Sequence, residues 1–312
     1  MNTIIMRIIL IILVFFAGFA YANPDPVWPQ TFVNADGSST VIPSKPKRIL
    51  STSVTVTGTL LAIDAPVIAS ASAVTGKFFG QWEHLAKNKN VANVWPAGSV
   101  DLESAYIHQP DLIVISASGA DSALAQRAEF ELIAPTIVVN YSGQTWQDFT
   151  YLLGSAIGME REAAQAIQSF EDYVAESKSK LNLPEGKANI VSYTGPGSVN
   201  AIAKGNGAHG KLLTALGFDL ETPLDEWDTS VMNHKDFLTV HYESLTHLQG
   251  TMTFLLRSDD ADAQAFANDP VMVNLPSVQQ QQVYGLGKYS FRIDLLSAKE
   301  IVDNMVERFG QP

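Results

Sequence analysis

Cysteine is absent from the 312 residues. No disulfide can form, so stability has to come from core burial, and no cysteine is present to carry a lipid anchor. Charge is also sparse, at 17% of residues, and no low-complexity tract is visible, which argues against disorder beyond the ends. Positive charge is the scarcer sign: 20 Lys and Arg face 32 Asp and Glu, a formal net charge of −12. That balance excludes nucleic acid and anionic membranes as natural partners. It leaves room for a small anion, because a few cations in a cleft override the global sign locally. Histidine motifs are missing too. His84, His108, His209, His234, His241 and His247 include no helical i,i+4 pair and no metalloprotease motif. No Gly-x-Ser-x-Gly elbow occurs.

One long hydrophobic run exists, at the N-terminus. Arg7 precedes an apolar stretch from Ile8 to Ala20, and Ala20-Tyr21-Ala22 has the small-x-small form of a cleavage site. This predicts an export leader cut after Ala22 and a mature protein free in a periplasm. Loss of Arg7 leaves 19 basic against 32 acidic residues, a net charge of −13. The remainder is long and apolar enough for two domains with real cores.

The pattern along the chain is strand–helix alternation. A hairpin is expected where Thr31–Val33 and Thr40–Ile42 flank Asn34-Ala35-Asp36-Gly37. Apolar strands follow at Arg48–Leu50, Pro66–Ala69, Asp111–Ser116 and Pro135–Tyr141, with helices at Leu102–His108 and Ser122–Leu132. Continuous runs such as Leu112-Ile113-Val114-Ile115 suit parallel strands buried on both faces. A long helical pattern covers Trp146–Leu181, broken near Gly154–Gly158 and stopped by Asn182-Leu183-Pro184-Glu185-Gly186. A second set has strands at Asn189–Tyr193, Met252–Arg257 and Gln282–Tyr284, with helices at Gly210–Leu216, Glu243–Leu248, Pro270–Asn274 and Leu295–Phe309. The expected fold is therefore α/β: two lobes with mainly parallel sheets, joined by one long helix, with a ligand cleft between strand ends. The expected division is a leader at 1–22, a lobe at 23–153, a linking helix at 154–184 and a lobe at 185–312. Such a molecule hinges only slightly and is expected to act as a monomer.

Candidate chemistry gathers at the strand ends. The turn Ser51-Thr52-Ser53 between a strand and a helix offers hydroxyls and free N–H groups to an anion. Ser116 and Ser118 follow a strand and suit ligand hydrogen bonds, helix capping or, as a hydrolase reading, nucleophilic attack. Arg257 ends a strand, and Arg292 lies between the aromatic pair Tyr289 and Phe291 and the last helix. An arginine beside aromatic rings can grip an aromatic anion by charge and stacking. Glu103 and Glu243 each begin a short helical turn, one per lobe, as helix-terminal charges or as a matched docking pair. Gly205-x-Gly207-x-x-Gly210 has dinucleotide-loop spacing without the preceding strand, and reads as a loop entering a helix.

The wording of several segments is specific. Lys47-Arg48-Ile49-Leu50-Ser51-Thr52-Ser53, Leu60 to Ser70, Gln109 to Ser116, Gly119 to Leu124, Ile133-Ala134-Pro135-Thr136, Leu275-Pro276-Ser277-Val278, Gln282-Val283-Tyr284 and Phe291-Arg292-Ile293-Asp294 resemble the periplasmic ferric catecholate siderophore-binding proteins of ABC importers, the ferric enterobactin binders of enteric bacteria among them. The resemblance covers essentially the whole mature chain. It implies a helix-linked two-lobe binder whose ligand is a ferric siderophore and whose partner is an inner-membrane ABC permease. No enzyme activity and no cofactor are implied, since the siderophore itself holds the iron. It also implies that Glu103 and Glu243 dock on permease arginines and that Arg292 is the C-lobe ligand arginine. The chain departs from the family where a Trp is replaced by Ala201-Ile202-Ala203-Lys204, and where an Arg before Gln-Trp is replaced by Gly80, with Lys77 nearby. Lys77, Lys204, Trp82, Trp95 and Trp227 are then candidates for alternative ligand contacts. The departures point toward a related catecholate such as a catechol–oxazoline siderophore. Haem or cobalamin, carried by the same fold, is the alternative ligand class.

Overall fold

The structure is a computed structural model that describes residues 26–230 and 235–311. The expected leader with its cleavage point, and His234, lie outside the described residues. The first lobe opens with an antiparallel hairpin, β1 (Gln30–Val33) and β2 (Ser39–Ile42), as its turn chemistry predicts. The chain then alternates: β3 (Ile49–Ser51), α1 (Val54–Ala62), β4 (Val67–Ser72), α2 (Gly80–Asn88), β5 (Ala92–Pro96), α3 (Leu102–Ile107), β6 (Leu112–Ser116), α4 (Arg127–Glu131) and β7 (Thr136–Val139). These strands form one parallel sheet in the order β5-β4-β3-β6-β7. Its central strands β3 and β6 are buried throughout, which is why they read as unbroken apolar runs. One face packs α1 and α2 through Leu60, Leu61 and Trp82, the other packs α3 and α4 through Ala105 and Phe130.

Helices α5 (Trp146–Ala156) and α6 (Glu160–Lys180) form the expected long helical segment with its break. The break falls at Gly158, whose φ of +68° is a left-handed conformation that favours glycine. At 21 residues, α6 spans about 32 Å. Ala163, near its start, lies in the first lobe's core; Phe170 and Val174, further along, lie in the second lobe's core. Burying Phe170 and Val174 contributes about 1.5–3 kcal/mol each. The helix is thus packed into both lobes.

The second lobe contains β8 (Lys187–Ser192), β9 (Asn200–Ala203), α7 (Ala208–Leu216), β10 (Asp219–Leu220), β11 (Phe237–Val240), β12 (Met252–Leu255), α8 (Asp260–Ala267), α9 (Pro276–Gln279), β13 (Val283–Gly285) and α10 (Leu295–Phe309). Its sheet runs β11-β9-β8-β12-β13, with β10 beside the start of β8. β8, β12 and β13 are parallel, while β9 and β11 make an antiparallel edge.

Four expectations need correction. β5 has no counterpart in the sequence reading, because Ala92-Asn93-Val94-Trp95-Pro96 is a short edge strand with partly exposed positions and a terminal proline. The expected helix at Ser122–Leu132 is a single 3₁₀ turn followed by the five-residue α4. Ala201-Ile202-Ala203, expected as loop, is strand β9, held by Ile202 and Ala203 in the core. Pro270–Asn274 forms turns, and the helix starts instead at Pro276, whose missing N–H is tolerated at the first helical position.

Candidate functional site

The strand ends of the two lobes meet around the segment Tyr289–Asp294, which links β13 to α10. Arg292 donates from Nη1 to Thr55 Oγ1 of the first lobe at 3.0 Å, and its guanidinium carbon lies 5.2 Å from the ring centre of Tyr141, also of the first lobe. Gln81 Nε2 donates to Asp294 Oδ2 at 3.2 Å, and Lys235 Nζ donates to the carbonyl of Gly143 at 3.2 Å. Tyr289 lies over Gly80, where a Cβ would come within 2.0 Å of its Cζ. The glycine at position 80 and the tyrosine at 289 are therefore complementary: the ring takes the space a side chain there would need.

On the C-lobe side, Arg257 sits in a left-handed conformation, φ +57°, where the chain turns off β12. Its Nη2 donates to Ser192 Oγ at 3.1 Å, and its guanidinium carbon is 4.7 Å from the Phe291 ring centre. Phe291 in turn stacks on Phe237 with centroids 5.9 Å apart and planes 13° apart. Tyr289, Phe291, Arg257 and Arg292 are all exposed. Two guanidinium groups backed by aromatic faces thus line the junction, a surface suited to an anionic ligand with aromatic groups. Ser118 borders it from the first lobe, donating to Asn140 Oδ1 at 2.9 Å and sharing a 3.1 Å hydrogen bond with Ser142.

Ser51 and Ser53 are fully buried and face inward. Ser53 caps α1 and donates to Asp121 Oδ2 at 2.5 Å; that carboxylate also accepts from Thr55 N at 3.4 Å and from the Tyr141 hydroxyl at 3.0 Å. The positive end of α1 does hold an anion, but the anion is Asp121 of the same chain. The Tyr141 hydroxyl is pushed above the usual phenol range by burial first and by the Asp121 charge second, against the opposite pull of Arg292. It stays a protonated donor. Ser116 donates to the carbonyl of Ser118 at 2.7 Å, a turn-closing bond rather than a nucleophile–base contact.

The remaining candidates spread out. Trp82 is fully buried against Phe78, with ring centroids 4.9 Å apart, and against Gly58; Trp95 stacks on Phe130 in the opposite core at 6.2 Å. Neither reaches a surface, because each supplies bulk between the sheet and its helices. Trp227 is half-buried, 5.9 Å from the His247 ring. Lys77 is exposed in the turn after β4, and Lys204 follows β9, close enough to Asp228 to help lower its carboxyl. Glu103 is exposed in the first turn of α3, and Glu243 is exposed in the 3₁₀ turn Tyr242–His247. Thr55, Tyr141, Asp121, Ser192 and Phe237 are additions the sequence reading missed. Tyr141 carried the one usable signal, an aromatic residue just past the end of a predicted strand.

A second cleft-flanking depression of about 560 Å³ is lined by Asp259, Asp260, Lys288, Tyr289, Glu300 and Arg308, among others. Its charges are largely matched internally: Lys288 pairs with Asp259 at 2.7 Å and Arg308 with Asp260 at 2.8 Å. At the junction, by contrast, Arg257 and Arg292 have no ion-pair partner among the described residues.

The architecture and the cationic, aromatic junction define a helix-linked two-lobe binding protein. The chain belongs to the periplasmic binding protein family, whose sequence profile matches residues 49–289. It is similar to the ferric enterobactin-binding periplasmic protein FepB of Escherichia coli O6:H1, with 36% identity over 292 residues, 90% of this chain and 91% of the relative. It is also similar to the crystal structure of holo-ViuP, with 57% identity and a TM-score of 0.84 over 92% of this chain and 97% of that one. Staphylococcus aureus SirA complexed with staphyloferrin B shares the fold at 22% identity, with a TM-score of 0.64 over 89% of this chain and 96% of that one.

Proposed function

We propose that the protein captures a ferric catecholate siderophore between its lobes and delivers it to an inner-membrane ABC permease. The observation that carries this reading is the pairing of Arg257 with Phe291 and of Arg292 with Tyr141, beside Tyr289 seated on Gly80, where the lobes meet. A ferric tris-catecholate has about three negative charges on an aromatic shell, which calls for this combination. The siderophore supplies the oxygen ligands to iron, so no protein metal site is required. The 36% identity to an enterobactin binder over 90% of the chain supports the catecholate class. Gly80 beneath Tyr289 and Ala201-Ile202-Ala203-Lys204 where the family carries a Trp are the departures that support a catechol–oxazoline cargo over enterobactin. The reading includes a periplasmic location after cleavage behind Ala22, lobes at 23–153 and 185–312, a monomeric state, docking through Glu103 and Glu243, and no catalysis.

The test is a panel of ferric catechol–oxazoline, ferric enterobactin, ferric hydroxamate, haem and cobalamin, followed by tryptophan fluorescence and calorimetry. Saturable quenching by the catecholates alone is expected. Silence with every catecholate would end the proposal, and a shifted Soret band with haem would replace it.

A further inference from the structure

In the glycine-rich loop Gly205-x-Gly207-x-x-Gly210, the second and third glycines are structurally demanding. A Cβ on Gly207 would fall 2.8 Å from Asp236 Cα, and one on Gly210 would fall 2.4 Å from the Lys204 carbonyl oxygen. The positive end of α7 is already occupied, since Ala208 N donates to Asp236 Oδ1 at 3.0 Å. The loop therefore packs α7 tightly against the chain, and the residue this presses inward is His209.

His209 is 3% exposed, and its Nε2 lies 2.6 Å from the carbonyl oxygen of Ser290. A carbonyl can only accept, so Nε2 carries the proton. Nδ1 is buried with no hydrogen-bond partner among the described residues, which fits a neutral ring, and burial lowers the group's pKa in the same direction. Ser290 is itself 2% exposed, between the exposed Tyr289 and Phe291. Its hydroxyl donates to the Gly287 carbonyl at 2.7 Å and accepts from Arg257 N at 3.0 Å. The imidazole also lies 5.3 Å from the Phe237 ring on which Phe291 stacks. One buried serine thus fixes the segment that displays Tyr289, Phe291 and Arg292 and anchors the backbone of Arg257, and His209 holds that serine from beneath.

We infer that His209 is a positioning residue for the cationic, aromatic recognition segment, acting through the Ser290 carbonyl without touching cargo. The consequence for affinity rests on the siderophore reading; the positioning itself does not. It is tested first without ligand, by hydrogen exchange of amides 289–293 measured relative to those of β8. His209→Leu removes the donor and should speed exchange of that segment about tenfold. His209→Gln, whose amide nitrogen reaches the place of Nε2, should restore it. Leu216→Ala, in the core at the far end of α7, should lower thermal stability without singling out the segment. Unchanged exchange in His209→Leu overturns the inference, as does equal protection loss in the Leu and Gln variants. Cargo affinity is then measured: about tenfold weakening in the Leu variant and near-normal binding in the Gln variant are expected. Selective exchange changes in a protein that binds no ferric catecholate would leave the positioning role standing and sink the siderophore reading instead.

Discussion

Tyr141 is held on two sides: its hydroxyl donates to Asp121, and its ring face carries the Arg292 guanidinium. Removing the charge while keeping a hydrogen-bonding side chain separates these contributions. Arg292→Gln should weaken cargo binding about 10- to 100-fold, the range for a charge desolvated against an anion, as read by fluorescence titration. An unchanged affinity would remove Arg292 from the recognition surface. A different residue, the most buried of the carboxylates held below their usual range, contributes to acid tolerance. Asp269 is 8% exposed; burial alone would raise its pKa, but hydrogen bonds from Tyr193, Tyr242 and Val271 N outweigh that and lower it below 3.8. A depressed carboxyl contributes stability above its unfolded value, and that contribution is lost as pH falls through the folded value. Melting temperature should therefore drop on acidification below about pH 4, and Asp269→Asn should be less stable at neutral pH with a flatter acid limb. Parallel melting curves for both proteins would refute the assignment. Tyr242 shows the converse shift, pushed up to about 12 by burial and by Asp269.

Element boundaries follow from local chemistry where that chemistry is strong. α10 runs from Leu295 to Phe309 as the sequence predicts, because Asp294 and Ser297 form a reciprocal capping box ahead of an apolar stripe. β3 was legible as a short apolar run, and β6 and β7 as runs rich in β-branched residues. β5, β9 and β11 were not: β5 and β11 are part-exposed edge strands, and β9, though buried, is four residues that open on Asn200 just after the turn residues Gly195 to Ser198. The α7 entry illustrates tertiary control of a local motif: Gly210 packs against backbone, with no flexible neighbour to yield. Gly210→Ala should cost about 2 kcal/mol or more and lower the melting temperature by several degrees, checked by calorimetry. A variant as stable as the parent would mean the α7 entry relaxes freely.

At the scale of the molecule, the two-lobe plan was readable and the make-up of the lobe junction only partly so. Arg257, Arg292, Tyr289 and Phe291, singled out from strand ends and flanking aromatics, lie exposed at the lobe junction, whereas Trp82 and Trp95, singled out as ligand surfaces, are core. Sequence position alone does not distinguish a tryptophan facing a cleft from one wedged behind a sheet. Thr55 and Tyr141 meet Arg292 only through contacts spanning the two lobes, which no local pattern encodes. The exposed Glu103 and Glu243 belong to this scale as well. Charge reversal at both should abolish siderophore-dependent growth in cells while leaving cargo affinity in solution intact. Normal growth would show that docking lies elsewhere. Finally, the leading helix of each lobe, α1 and α7, has its positive end stoppered by an aspartate from a distant loop, Asp121 or Asp236. Both helix ends are thus neutralised from within the chain and need no bound anion to be satisfied. On the proposed reading, a lineage can then rewrite its cargo by exchanging junction residues such as Tyr289 and Gly80 at the start of α2, leaving the strand–turn–helix frame as an inherited chassis.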